Sequence, residues 1–264
     1  MEEEGDDNMA EWVRGAVLGI LAAAALTLLL TWSSSITVRE SASPEGGGET
    51  AEIDLREGLE GEAGEERAER EVPVAALTFD DGPHAVWTPI LLDGLKERGV
   101  KATFFLMGQN IPGNEEIVER MAREGHLVGN HSYRHEPLTQ AGLEQVCDSF
   151  ARTGEMIWEI TGIRPEYARP PYGDWNEELE CRTELSTVLW DVDSLDWNYQ
   201  DRKQIADKVC REIENGDIVL MHDIFQSSQE AALDIIDRLK AEGWQFVTAD
   251  ELMVDYIRGR QRQV

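Results

Sequence analysis

Ala76-Leu77-Thr78-Phe79-Asp80-Asp81-Gly82-Pro83-His84 decides how the rest of this chain folds. Val74 to Phe79 is apolar apart from Thr78 and is stopped by Gly82-Pro83, the pattern of a buried strand emptying into a tight turn. Two carboxylates stand where that strand ends. In α/β sheets and barrels the C-terminal ends of the strands are where active sites are built. Successive strand residues face opposite sides, so Asp80 and Asp81 are expected to do separate work, one as a metal ligand and its neighbour as a base. The competing reading is a solvated turn, since Asp, Gly and Pro are also the ordinary turn residues. The sequence on either side has to choose between them.

From Val72 onward strand and helix patterns alternate. Strands are predicted at Val74 to Phe79, Ala102 to Leu106, His126 to Gly129, near Tyr167, at Ser186 to Trp190, Asp217 to Met221 and Gln245 to Val247. The helical patterns between and after them are Trp87 to Arg98, Glu115 to Glu124, Leu143 to Ile160, Asn176 to Thr183, Arg202 to Ile213, Ser228 to Glu242 and Asp250 to Arg258. Repeated β-α units imply a parallel sheet with right-handed crossovers. The expected fold class is α/β, a distorted (β/α)7 barrel over residues 72–258 with a short tail at 259–264.

What precedes residue 72 has a different composition. Residues 1–11 are acidic, and residues 12–32 hold an almost continuous apolar run, Ala16 to Trp32, that reaches spanning length if Arg14 snorkels to the interface. Trp12 and Trp32 bracket it as interfacial residues would. The expectation is a membrane anchor with the domain on the extracytoplasmic side; the alternative is a cleaved secretory signal with Ser33 and Ser35 near the cut. Residues 33–71 are rich in Glu, Gly, Ser and Ala and bury too little apolar surface to offset their ordering entropy, so they read as an acidic disordered linker.

The whole chain has 264 residues, 41% of them apolar, and a formal net charge of -29. That charge is divided between the two parts, -13 on residues 1–71 and -16 on residues 72–264. It excludes nucleic acid as a partner, because backbone phosphates need Lys and Arg to neutralise them. A neutral or amino-bearing substrate fits the balance better than a polyanion. Cys147, Cys181 and Cys210 are an odd number, which allows at most one internal disulfide, with Cys181 and Cys210 the pair to test. Small semi-buried residues are the plainer reading of all three.

All five histidines, His84, His126, His131, His135 and His222, fall at predicted strand ends or in the loops beyond them. His131 and His135 have the H-x-x-x-H spacing that puts two imidazoles on one side of a helical turn, where they can share a metal. With Asp81 they give two nitrogens and one oxygen, leaving a position for water as in a catalytic zinc site. Zinc suits that set best, and cobalt, nickel, manganese or iron fit the same ligands. His126 reads as a local structural hydrogen bonder and His84 as a turn residue bordering the cleft. Tyr133, Trp175 and Tyr199 lie in loops on the same side and are open to either sugar stacking or packing.

Three more segments follow apolar strands: Arg169-Pro170-Pro171-Tyr172-Gly173, Asp193-Ser194-Leu195-Asp196-Trp197 and Ile218 to Asp223. With Thr78 to His84 and His131 to His135 they form five motifs in order, and on these the sequence resembles the polysaccharide deacetylase family, carbohydrate esterase family four, over about Val72 to Tyr256. The resemblance implies that Asp81, His131 and His135 bind a divalent metal and that Asp80 is the base taking a proton from the metal-bound water. It implies that His222 is the acid protonating the departing amine, that Arg169 holds the base, and that Asp196 orients the acid. Tyr172 matches the residue whose backbone N–H binds the oxyanion, and Trp197 and Leu220 match the walls of the acetyl pocket.

Hydrolysis of an amide needs an activated water, a stabilised oxyanion and a proton for the nitrogen, and this set of groups supplies all three. The expected activity is removal of N-acetyl groups from N-acetylglucosamine in a cell-surface polymer, peptidoglycan first and a chitin-like polymer next, by a monomeric catalytic domain. The alternatives are O-deacetylation, as of acetylated xylan, and a tethered carbohydrate-binding module without turnover.

Overall fold

The first strand, β1 (Val74–Asp80), runs through the middle of a parallel sheet, and all its residues but the first are buried. That double burial is why the stretch reads as a continuous apolar run rather than an alternating one. In the computed structural model, which describes residues 72–175 and 183–254, β1 is followed by helix α1 (Trp87–Arg98), β2 (Thr103–Leu106), α2 (Glu115–Arg123), β3 (Leu127–Asn130) and α3 (Leu143–Thr161). Next come three strands of two residues each, β4 (Tyr167–Ala168), β5 (Ser186–Thr187) and β6 (Val192–Asp193). A short α4 (Asp196–Tyr199), α5 (Arg202–Glu212), β7 (Ile218–His222), α6 (Gln226–Ala241) and β8 (Gln245–Phe246) complete the order. Gly99 and Gly162 end α1 and α3 in the left-handed conformation, at φ 64° and 73°.

The strand order is β5-β4-β3-β2-β1-β7-β6, with β8 on β1. β8 pairs with Val74 and Ala75, below Thr78, where β2 joins. Along β1 the side chains alternate. Leu77 and Phe79 join the larger core with Leu91, Leu95, Ile235 and Ile236 of the covering helices. Ala76 instead packs inward with Phe105, Val188, Ala249 and Leu252. Asp80 shares the inward parity of Ala76 and Thr78, so it projects into the barrel at its C-terminal mouth.

The curled parallel sheet agrees with the expected class, but the wall is less regular than seven even repeats. The predicted strand at Ser186 to Trp190 shortens to Ser186–Thr187, and a separate strand forms at Val192–Asp193. The carbonyls that would extend it are taken by a side chain: Arg169 Nε donates to Val188 O and its Nη2 to Leu189 O. β5 and β6 therefore end the path without pairing to each other, and the barrel is open between them. Cys147 and Cys210 are free and half-buried. Cys181, most of the helix predicted at 176–183, the membrane segment at 12–32 and the linker at 33–71 lie outside the described residues. The last predicted helix begins at residue 249 and is described to residue 254. Among the described residues no helix is long and apolar enough to cross a membrane.

Gly129 shows how tightly the middle of the sheet is fitted. A Cβ there would stand 2.5 Å from Phe105 Cδ1 and 3.1 Å from Tyr167 O. Gly129→Ala is expected to cost about 1–3 kcal/mol through overpacking, read as a lower urea midpoint at unchanged m-value. An unchanged midpoint would show that the Phe105 ring yields freely.

Candidate active site

At the mouth of the barrel Asp80 is buried and meets a cation that is buried too. Arg169, at the end of β4, donates from Nη1 to Asp80 Oδ1 at 2.9 Å and to Thr78 Oγ1 at 2.6 Å. Thr78 Oγ1 in turn donates a hydrogen bond to Val219 O at 2.6 Å. Burial pulls the Arg169 guanidinium downward in pKa, and the Asp80 charge works against that. The second Asp80 oxygen, Oδ2, is 3.7 Å from His131 Nε2.

Asp81 departs from the expectation of opposite faces. It is no longer in the strand: its φ is 70°, a left-handed conformation that only Gly adopts freely. The reversal turns both carboxylates toward the same histidine, and Asp81 Oδ1 is 3.5 Å from His131 Nε2. Asn110 Nδ2 donates to Asp81 O at 2.7 Å and holds the turn.

The H-x-x-x-H pair likewise converges without a helical turn. Ser132 and His135 have φ of 63° and 59°, so the loop winds back instead of continuing as helix. Ser132 Oγ accepts from His135 N and donates to Glu136 Oε2, and Glu136 also accepts from Arg134 N and Ser149 Oγ. His131 Nδ1 lies 2.6 Å from Arg169 O. A carbonyl only accepts, so Nδ1 carries a proton and Nε2 is the nitrogen left to act as a ligand in the neutral ring. His135 is pushed toward the neutral form by burial and by His131 beside it.

One atom from each of Asp81, His131 and His135 lies within 4.8 Å of the others. Asp81 Oδ1 is buried with no hydrogen-bond partner, and it stands 3.5 Å and 3.7 Å from the two Nε2 atoms. Converging lone pairs around an unsatisfied carboxylate oxygen fit a divalent cation with nitrogen and oxygen ligands.

Across the strand pair, Asp80 and His222 are register partners of β1 and β7. Asp196, fully buried at the start of α4, accepts from His222 N at 2.7 Å and binds His222 Nδ1 at 2.8 Å. Burial alone lowers the imidazole pKa, but the Asp196 hydrogen bond and the charges of Asp196, Asp80 and Asp81 reverse this and raise it to about 9. His222 is therefore charged at neutral pH.

Leu220 lies two residues before His222 on β7 and is buried. Trp197, next to Asp196, is 53% exposed and Tyr172 70% exposed. Tyr172, at φ 61°, stacks edgewise on His135 with ring centroids 4.5 Å apart. Its backbone N–H has no partner among the described residues. His126 accepts from Ala102 N through Nδ1, and His84 Nδ1 accepts from Val86 N and Trp87 N at the start of α1. Trp175 packs on Phe150 and Tyr199 on the core, so neither is a free platform.

Thr78 and Glu136 escaped the sequence reading. A lone hydroxyl in a buried strand, two residues before a carboxylate on the same face, was the available signal for Thr78. For Glu136 the local spacing to Ser132 was a weak signal, and its link to Ser149 on a distant helix leaves none.

The parallel barrel thus carries an Asp-His-His cluster beside a carboxylate held by arginine and a histidine held by aspartate. The polysaccharide deacetylase family model matches residues 67–186. The chain is 40% identical over 188 residues to the Bacillus subtilis peptidoglycan-N-acetylmuramic acid deacetylase PdaC, covering 71% of this chain and 40% of that one. It is 40% identical over 177 residues to the Listeria monocytogenes peptidoglycan-N-acetylglucosamine deacetylase PgdA, covering 67% of this chain and 38% of the other. It thus spans about two fifths of the length of these curated relatives. The solved structure of PdaC from Bacillus subtilis superposes with a TM-score of 0.70 at 38% identity, covering 72% of this chain and 95% of that one. The chain belongs to the polysaccharide deacetylase family.

Asp223, next to His222, gives a thermodynamic test. It is fully buried, its Oδ2 accepts from Thr88 Oγ1, and a Cβ on Gly82 would lie 2.3 Å from its Oδ1. Burial raises its pKa from 3.8 to about 7. Between those values the folded chain keeps a proton that the unfolded chain releases, so this group makes stability fall as pH rises through the window. Asp223→Asn is expected to flatten that slope in urea midpoints taken across the window; an unchanged slope would mean the carboxyl is ionised in the fold.

Proposed function

We propose that this chain is a metal-dependent hydrolase removing N-acetyl groups from N-acetylglucosamine residues of a cell-surface polysaccharide, peptidoglycan. The observation that carries the reading is the pairing of Asp80 with His222 on adjacent strands beside the Asp81-His131-His135 cluster. Asp81, His131 and His135 would hold a divalent cation, zinc first, which when bound would supply Lewis acidity for the water and the acetyl carbonyl. Asp80 takes the proton from the attacking water, and the Arg169 hydrogen bond keeps it aimed. His222 is held charged by Asp196 and gives its Nε2 proton to the leaving amine. The Tyr172 N–H receives the developing oxyanion, and Leu220 and Trp197 enclose the acetyl methyl.

Peptidoglycan is favoured because PdaC and PgdA are both named for it. The name of PdaC makes N-acetylmuramic acid the second reading for the sugar. The apolar run within residues 12–32 supports a membrane-anchored domain on the extracytoplasmic side, facing that polymer.

Acetate release from peptidoglycan is expected to fall about 10²- to 10⁴-fold in Asp80→Asn and in His222→Ala, and to stop when a chelator strips the metal. Full release in both variants would sink the mechanism. Asp196→Asn removes the partner that keeps His222 charged, so the alkaline fall in kcat is expected to move to lower pH. An unmoved alkaline limb would assign that limb to another group.

A further inference from the structure

Ten arginines are among the described residues, and eight of them have a carboxylate within 4.0 Å. The two without one, Arg134 and Arg152, are both exposed and both lie on the ring of Tyr133, with guanidinium carbons 5.7 Å and 3.7 Å from its centroid. In a chain of net charge -29 this is unexpected. Arg152 has Asp148 one turn earlier on α3, a spacing that favours ion pairing, yet it turns to the ring instead.

Tyr133 lies between His131 and His135, and it is fixed. Its N–H donates to Ser149 Oγ, its carbonyl accepts from Gln109 N, and its ring fills the space over Gly108. The only carboxylate in that turn, Glu136, is engaged by Ser132, Ser149 and the Arg134 backbone. Two guanidinium groups, oriented by stacking and with no hydrogen-bond partner for their N–H edges among the described residues, thus stand on the residue between His131 and His135.

We propose that Arg134 and Arg152 form a subsite for carboxylate groups borne by the glycan, so that this chain selects an acidic polymer over neutral chitin-like or xylan-like ones. The inference rests on the hydrolase reading above and narrows its substrate. A guanidinium is suited to the task because its planar fork binds a carboxylate through two N–H groups. The local pair also outweighs the overall charge, because at physiological salt the field of distant surface carboxylates is screened within about 8 Å.

In peptidoglycan the carboxylates come from the lactyl ether of muramic acid or from the peptide stems, and three substrates separate these sources. Wild-type chain and the double variant R134Q/R152Q are compared on a chitooligosaccharide, on peptide-free glycan and on glycan carrying stems, with KM and calorimetric affinity measured for each. The expected result is a rise in KM and Kd of roughly 3- to 10-fold on the acidic glycans, shrinking with added salt, and no change on the chitooligosaccharide. A loss on both acidic glycans assigns the lactyl carboxylate; a loss only when stems are present assigns the stems. Equal changes on all three substrates, or none on any, would overturn the subsite. Absence of acetate release by the wild type would sink the hydrolase reading instead, while the affinities would still decide on the arginines.

Discussion

Asp80 and Arg169 exchange opposite charges where almost no water reaches them, with side chains 4% and 0% exposed. A lone charge in that position would cost several kcal/mol, and a pair recovers the loss only if its remaining hydrogen-bonding capacity is filled. Arg169 meets that condition with Thr78 Oγ1, Asp80 Oδ1 and the carbonyls of Val188 and Leu189. Its own carbonyl takes the Nδ1 proton of His131. One residue therefore sets the proposed base, sets the tautomer of a proposed ligand and replaces sheet pairing in the wall. The open seam between β5 and β6 follows from this requirement, since the backbone acceptors there serve a guanidinium.

The other half of the centre uses the same device with the signs exchanged. Asp196 is the buried carboxylate there, and it grips both the backbone and the ring of His222. The two held groups come from neighbouring strands in register, so their separation is fixed by the β1–β7 ladder rather than by loops. Loops enter through Asp81, Ser132, His135 and Tyr172, and through Leu195 beside Asp196, each with a positive φ that a non-glycine residue adopts at some cost. Strained backbone thus surrounds the candidate ligand cluster and also flanks the short helix that carries Asp196, where Leu195 and Gln200 have φ of 56° and 45°, while Asp80 and His222 themselves stand on regular sheet.

What could be read from the sequence follows the same division. β1, α1 and β7 were legible because continuous apolar runs and turn residues announce buried strands and their ends. The candidate ligands were legible as a set because histidines are few and all lie near strand ends. Their local geometry was not. Alternation along a strand put Asp80 and Asp81 on opposite faces, and helical spacing put His131 above His135; left-handed residues at 81, 132 and 135 override both rules. Two-residue strands such as β4, β5 and β6 have no periodicity to detect, and a ladder interrupted by a side chain from residue 169 leaves no local trace. The partners of Thr78, Arg169 and Val219, are remote in the chain, and Glu136 joins its neighbours Ser132 and Arg134 to Ser149 on a distant helix, a link that spacing does not show.

The unequal strands also bear on how such a scaffold diversifies. From residue 167 to 193 the wall relies on short pairings and on segments between them, whereas β1, β2, β3 and β7 form a longer contiguous ladder. Insertions in the former stretch that spare Arg169, Tyr172 and the Val188 and Leu189 carbonyls can reshape the outer contour without disturbing the register that spaces the reacting groups. Evolution, or a protein engineer, can therefore retool recognition on one flank while inheriting the chemistry of the other intact.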